Sequence, residues 1–221
     1  MDLKKYDLFI LDYDGCLIDS MPMWRYSASS YIKYLGYSPK EDLDERIPIF
    51  TDIYCARVIK EEYHIPMSVS EIKDDIDRYV DMEYPKVPLK DGAKEFLDTL
   101  KKLNKIIVVL SASGDHIINL SMNALGITNY FNEVISVYNH ETLSKCDGSA
   151  MEYVRMKYNI PKDKILMIDD ALPNVLGAKE YGISCIAIYD DYSKNKKDEL
   201  IMNSLAYMKM DELAKLMEEL W

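Results

Sequence analysis

The sequence predicts an α/β fold, a doubly wound parallel (Rossmann-like) sheet with an all-helical cap domain inserted after its first strand. Three observations lead there: short branched-apolar runs recur along the chain, amphipathic segments alternate with them, and the stretch 21–82 offers helices but no strand. The runs at 8–11, 106–110, 133–137, 165–168 and 185–188 are each bounded by polar or turn residues, as buried parallel strands are. Between them, 91–103 opens on Asp91 as a capping residue and repeats apolar Ala93, Phe96, Leu97 and Leu100. The segment 116–125 stops at Gly126, 151–158 stops before Pro161, and 175–181 stops at Gly182. This β-α-β-α order puts helices on both faces of a parallel sheet.

Within 21–82 the helical candidates are 24–35, 49–63 and 69–82, separated by Gly36, Pro39, Pro48 and Pro66. Tyr84-Pro85-Lys86-Val87-Pro88 is expected to return to the core as an extended hinge, because each proline restricts itself and the residue before it. The expected domains are a core of residues 1–16 and 86–221 and a helical cap of residues 17–85. Residues 194–197 read as a solvated lysine-rich loop and 208–221 as an amphipathic helix seeking the core.

With 221 residues and 48% hydrophobic content, the chain can bury a core without disulfides. A formal charge of −11 argues against coating nucleic acid or binding an anionic membrane, so an anionic substrate needs a locally positive pocket. Cys16, Cys55, Cys146 and Cys185 are scattered, without Cys-x-x-Cys or zinc spacing; they are expected to be small apolar residues in a reducing compartment. The N-terminal apolar run is short and interrupted by acids, unlike a signal peptide, and no stretch approaches the ~18 apolar residues of a membrane span. A cytoplasmic protein, monomeric or weakly dimeric, is expected.

Open parallel sheets bind ligands beyond the carboxyl ends of their strands. The first strand ends in Asp12-Tyr13-Asp14-Gly15, the second in Ser111-Ala112-Ser113-Gly114; Lys145 follows the third, and the fourth ends in Asp169-Asp170. Any one of these is ordinarily a helix cap or a surface charge. Their succession on consecutive strands suits phosphoryl transfer, in which a carboxylate nucleophile divides hydrolysis into two steps. The acids can also hold Mg²⁺, which prefers hard oxygens. Lys145 offsets negative charge, and Ser111 with the backbone N–H groups around Tyr13, Asp14 and Ala112 can hold phosphoryl oxygens.

The run Phe9-Ile-Leu-Asp-Tyr-Asp-Gly-Cys-Leu-Ile-Asp-Ser20, together with Met167-Ile-Asp-Asp-Ala-Leu-Pro-Asn-Val-Leu-Gly-Ala-Lys-Glu-Tyr-Gly182, resembles the haloacid dehalogenase superfamily. The likeness is to its helical-cap phosphatase branch, which includes phosphoglycolate phosphatases and β-phosphoglucomutases. It implies Asp12 as nucleophile, Asp14 as general acid and base, and Mg²⁺ held by Asp12, Asp170, the Asp14 carbonyl and Asp169. Ser111 and Lys145 match the second and third motifs. Three departures stand out: Cys146 where a proline often follows the lysine, Ala171 for a common serine, and Asn174 for a frequent glycine or aspartate. The presence of Asp14 favours phosphate esters over halides, because an alcohol leaving group needs an acid.

The resemblance also assigns leaving-group recognition to the cap, where Arg25 and Arg46 are the candidates among Trp24, Tyr26, Tyr54 and Arg57; each is otherwise a packing residue or surface charge. His64, His116 and His140 share no spacing with the motifs. The implied activity is hydrolysis of a small phosphorylated metabolite such as a sugar phosphate or phosphoglycolate. The alternatives are a sugar-phosphate mutase, a phospho-accepting signalling module or a silent binding protein.

Overall fold

The computed structural model describes residues 1–47 and 49–220; Pro48, expected as a helix separator, and Trp221, expected to end the last helix, lie outside the described residues. The chain divides into two compact units, Met1–Asp19 with Pro88–Trp221, and Ser20–Val87.

The first unit is built on a parallel six-stranded sheet of order β3-β2-β1-β4-β5-β6. Its strands are β1 (Leu8–Leu11), β2 (Ile106–Ser111), β3 (Glu133–Ser136), β4 (Ile165–Asp169), β5 (Ser184–Ile188) and β6 (Ala206–Met208). The central strands are buried on both sides, which is why they read as unbroken apolar runs. Leu8, Ile10, Val108, Leu110, Ile165 and Met167 share one core cluster with Ala150, Met151, Val154, Val175 and Ala178. On the other face Phe9 meets Phe96 edge to face at 6.3 Å. The chain adds strands on one side of β1 and then crosses to add β4 on the other, so a switch point lies at the carboxyl ends of β1 and β4.

The second unit contains α1 (Met21–Arg25), α2 (Ser27–Tyr34), α3 (Leu43–Arg46), α4 (Ile53–Tyr63) and α5 (Val69–Glu83), with no strand among its described residues. The expected single helix over 24–35 is split at Tyr26 (φ −113°, ψ 20°). There the Ser27 hydroxyl bonds the Trp24 carbonyl at 2.9 Å, competing with the helix ladder. Tyr31, Phe50 and Tyr79 form an edge-to-face core with ring centroids 5.4–6.2 Å apart. A reciprocal Ser68–Glu71 capping box starts α5. The expected extended hinge is corrected: Tyr84–Lys86 is a 3-10 turn, and Val87 after it is extended. Pro85 sits in its first turn, where a missing N–H costs nothing, and Tyr84 is fully buried against Trp24.

Back in the first unit, α6 (Ala93–Lys102), α7 (Asp115–Leu125), α8 (Ser149–Tyr158), α9 (Leu172–Tyr181), α10 (Lys197–Asn203) and α11 (Met210–Leu220) follow the strands. Gly92, not Asp91, caps α6: it takes φ +83°, and a Cβ there would lie 2.4 Å from the Asp211 Cα at the start of α11. The lysine-rich loop is also corrected, since Lys194–Lys196 forms a 3-10 turn leading into α10. Cys16, Cys55 and Cys185 are buried as expected, but Cys146 is exposed. No helix among the described residues is long and apolar enough to cross a membrane.

Candidate active site

Parallel pairing places Leu11 opposite Ile168, so the residue after β1 meets the last residue of β4; the Asp12 N–H donates to the Ile168 carbonyl at 2.9 Å. Beyond Asp12 the chain folds back on itself. The Leu17 and Ile18 N–H groups both donate to the Tyr13 carbonyl at 3.0 Å. Tyr13 turns inward, its hydroxyl donating to the buried Ser121 of α7 at 2.8 Å, so only its backbone can meet a ligand.

The turn presents Asp14 to the end of β2. The Ser113 hydroxyl donates to Asp14 Oδ2 at 2.7 Å, and the Ser111 hydroxyl stands 3.5 Å from the same oxygen. Ser111 is fully buried and accepts the Ser113 N–H at 3.0 Å, while Ala112 between them is exposed. Sequence reasoning gave Ser113 no role; its side chain reaches Asp14 only because the loop after β2 curls over Ser111.

Lys145 lies in the loop before α8, 4% exposed, and its Nζ forks to Asp12 Oδ1 at 2.6 Å and Asp169 Oδ2 at 2.8 Å. Asp169 also accepts from the Ala171 N–H at 2.9 Å and from the Asn174 amide at 3.0 and 3.2 Å. Asn174, read from sequence as a departure, thus holds one of the acids. Asp170 is 6% exposed, and no hydrogen bond reaches its carboxylate from the described residues. Half-buried Lys90 and buried Asp190 form a second ion pair at 2.6 Å, missed in the sequence because their loops are far apart along the chain.

One ammonium therefore faces three buried carboxylates. Burial, followed in weight by the attraction of Lys145 and the repulsion of Asp169 and Asp14, leaves Asp12 pushed up to about 7. Burial and the charges of Asp12, Asp169 and Asp190 hold Asp170 well above the usual carboxylate range. Burial alone would lower Lys145, but its two acids outweigh it and raise it. Asp12, Asp169 and Asp170 each offer an oxygen, all within 4.8 Å of one another. Hard oxygen donors, excess negative charge and an Asp170 without hydrogen-bond donors fit a Mg²⁺ ion, with Asp170 the freest to ligate it, Asp12 engaged by Lys145 through one oxygen only, and Asp169 engaged by Lys145, Ala171 and Asn174.

The helical unit's candidates differ from one another. Arg46 is engaged within its own unit: Nη2 bonds Glu62 Oε2 at 3.0 Å, and Nε lies 2.8 Å from Asp42 Oδ2 as an ion pair without hydrogen-bond alignment. Arg25 is exposed and forms no ion pair among the described residues. Trp24 packs on Tyr84, whereas Tyr54 is half exposed.

Residues 6–182 match the model of the haloacid dehalogenase-like hydrolase family. The chain is 22% identical over 224 residues to the phosphoglycolate phosphatase of Vibrio cholerae, covering 98% of this chain and 97% of that one. It is 24% identical over 219 residues to the phosphoglycolate phosphatase of Chromobacterium violaceum, covering 93% and 96%. Among solved structures, a Thermotoga maritima protein with the provisional name β-phosphoglucomutase superposes with a TM-score of 0.81 at 18% identity, over 97% of this chain and all of that one. With the strand-end acids, the lysine fork and the helical insertion in place, the chain belongs to the haloacid dehalogenase-like hydrolase family, on its phosphatase branch.

Proposed function

We propose that this chain is a Mg²⁺-dependent phosphatase of small phosphorylated metabolites, working through an aspartyl-phosphate on Asp12. The observation that supports this best is the fork of Lys145 between Asp12 and Asp169 beside a third buried acid, Asp170. That arrangement orients Asp12 and still leaves negative charge for a divalent ion to balance.

Lys145 occupies Asp12 Oδ1 and leaves Oδ2 to attack phosphorus. As the new P–O bond forms and the ester P–O bond breaks, Asp14 gives its proton to the departing alkoxide, which leaves as the alcohol. Ser113 holds Asp14 Oδ2 and so orients the carboxyl group for this transfer. In the second step Asp14 takes a proton from water as the water oxygen attacks phosphorus, releasing inorganic phosphate and restoring the Asp12 carboxylate. Ser111 shapes the loop after β2, so that the Ala112 backbone can receive phosphoryl oxygens. Mg²⁺, which Asp12 and Asp170 would hold, would supply positive charge to offset the negative charge on the phosphoryl oxygens. Arg25, exposed and without an ion pair among the described residues, is the candidate cation for leaving-group recognition. The two phosphoglycolate phosphatase relatives favour a small anionic phosphomonoester as substrate.

The test is phosphate release from a panel containing 2-phosphoglycolate, hexose phosphates, pentose phosphates and p-nitrophenyl phosphate, with Mg²⁺ and with EDTA. Metal-dependent turnover that prefers one metabolite over p-nitrophenyl phosphate is expected. Full activity after rigorous chelation, or isomerisation of a sugar phosphate without phosphate release, would overturn the reading.

A further inference from the structure

The Lys145 fork depends on where the Lys145 backbone lies, and Gly177 of α9 lies directly against that backbone. The loop from Ser144 to Cys146 is fastened to the start of α8, where the Ser144 N–H donates to Ser149 Oγ at 2.8 Å and the Ala150 N–H to the Ser144 carbonyl at 3.2 Å. Its other side lies directly against α9. A Cβ on Gly177 would stand 2.3 Å from the Lys145 carbonyl oxygen and 2.7 Å from that of Cys146, far inside van der Waals contact. Neither side yields easily. Val175 and Ala178 bury α9 in the sheet's core cluster, and the opposing atoms are backbone rather than a flexible side-chain end. One turn earlier on the same helix, the Asn174 amide holds Asp169, the other partner of the fork.

We propose that α9 is the gauge of the active-site ion pair: Gly177 seats the Lys145 backbone, Asn174 holds Asp169, and together they set the reach of Nζ to both carboxylates. Gly177 and Asn174 are positioning residues, acting through Lys145 and Asp169. The inference rests on Lys145 being the counter-charge of Asp12, as proposed above. A side chain at 177 displaces the Lys145 backbone while leaving the ammonium in the protein, so its effect should resemble a weakened form of losing Lys145.

A double-mutant cycle on the full chain tests this, using Gly177→Ala, Lys145→Met and their combination. Two quantities are read: kcat/KM, and the Kd for Mg²⁺ alone by titration calorimetry. Gly177→Ala should lower kcat by about tenfold with KM within about twofold, and should tighten Mg²⁺ by about threefold, because a displaced ammonium no longer competes for the acids. In the Lys145→Met background the same substitution should change neither quantity by more than about twofold. If Gly177→Ala does not fold, Asn174→Ala, which only removes atoms, takes its place in the cycle; it should cost about threefold in kcat in the wild-type background and nothing in Lys145→Met. Equal losses in both backgrounds, or wild-type kcat in the folded single variants, would reduce α9 to packing. Failure of the wild type to bind Mg²⁺ would instead remove the proposed function, and this inference with it.

Discussion

The Ser113 hydroxyl donates to the Asp14 carboxylate across 2.7 Å, joining residues 99 apart in the chain. This bond orients the Asp14 carboxylate, the group proposed above to carry the proton in both steps. Ser113→Ala should lower kcat by about tenfold, with the aspartyl-phosphate accumulating because water activation needs a well-aligned general base. Rapid-quench measurement of phospho-enzyme checks this; unchanged kcat and no accumulation would show that Asp14 holds its orientation alone.

Asp12→Asn should abolish turnover while the circular dichroism spectrum stays native, since an amide is no nucleophile and offers a weaker metal oxygen. Asp14→Asn should still accept phosphate from p-nitrophenyl phosphate, whose leaving group needs little acid, and then hydrolyse slowly. A burst of p-nitrophenol with a suppressed steady state is the expected trace. Near-normal turnover in Asp12→Asn would require another nucleophile.

The raised Asp12 makes stability depend on pH in a stated direction. Because it is pushed up to about 7 in the folded chain, the native state holds a proton that the unfolded chain, titrating near 4, has lost. Without metal, stability should therefore fall as pH rises from about 4 to about 7 and level off above. Binding of Mg²⁺ displaces that proton, so its affinity should rise over the same window. Melting temperatures at pH 5.5 and 8, with and without Mg²⁺, check both: the metal-induced increase should be larger at pH 8. An equal increase at the two values would mean that Asp12 is ionised throughout.

Arg25 and Arg46 should separate cleanly. Arg46→Ala removes pairing to Glu62 and Asp42 on a solvent-screened face, so at most a small drop in melting temperature with an unchanged substrate ranking is expected. Arg25→Ala should leave the melting temperature alone and change relative kcat/KM among metabolites more than it changes p-nitrophenyl phosphate turnover. Steady-state kinetics over the panel and a thermal melt decide it. A shifted ranking in Arg46→Ala would mean that its pairs open during turnover.

Much of this protein is written locally. The runs that became β1, β2, β4 and β5 are legible because strands buried on both faces must be almost wholly apolar, and Asp12, Asp14, Asp169 and Asp170 are legible because they stand directly at strand ends. The three residues of β6 carry too little pattern to be read, and their strand state comes from pairing with β5. The break between α1 and α2 hid inside an acceptable helical period, because serine hydroxyls competing for backbone carbonyls leave no trace in apolar spacing.

What the sequence determined by itself is the first five strands and the acids that follow β1 and β4, since both follow from neighbours along the chain. The tertiary structure alone decided the partners: Lys145 on Asp12 across 133 residues, Ser113 on Asp14, Arg46 on Glu62, and Gly177 against the Lys145 backbone. The contacts of Lys145, Ser113 and Gly177 require knowing that β1 lies between β2 and β4 and how each loop leaves its strand, and that of Arg46 requires knowing how α3 packs on α4. Ion pairs and close backbone contacts depend on ångström separations in space, and a linear order of residues does not contain those separations until the sheet is assembled.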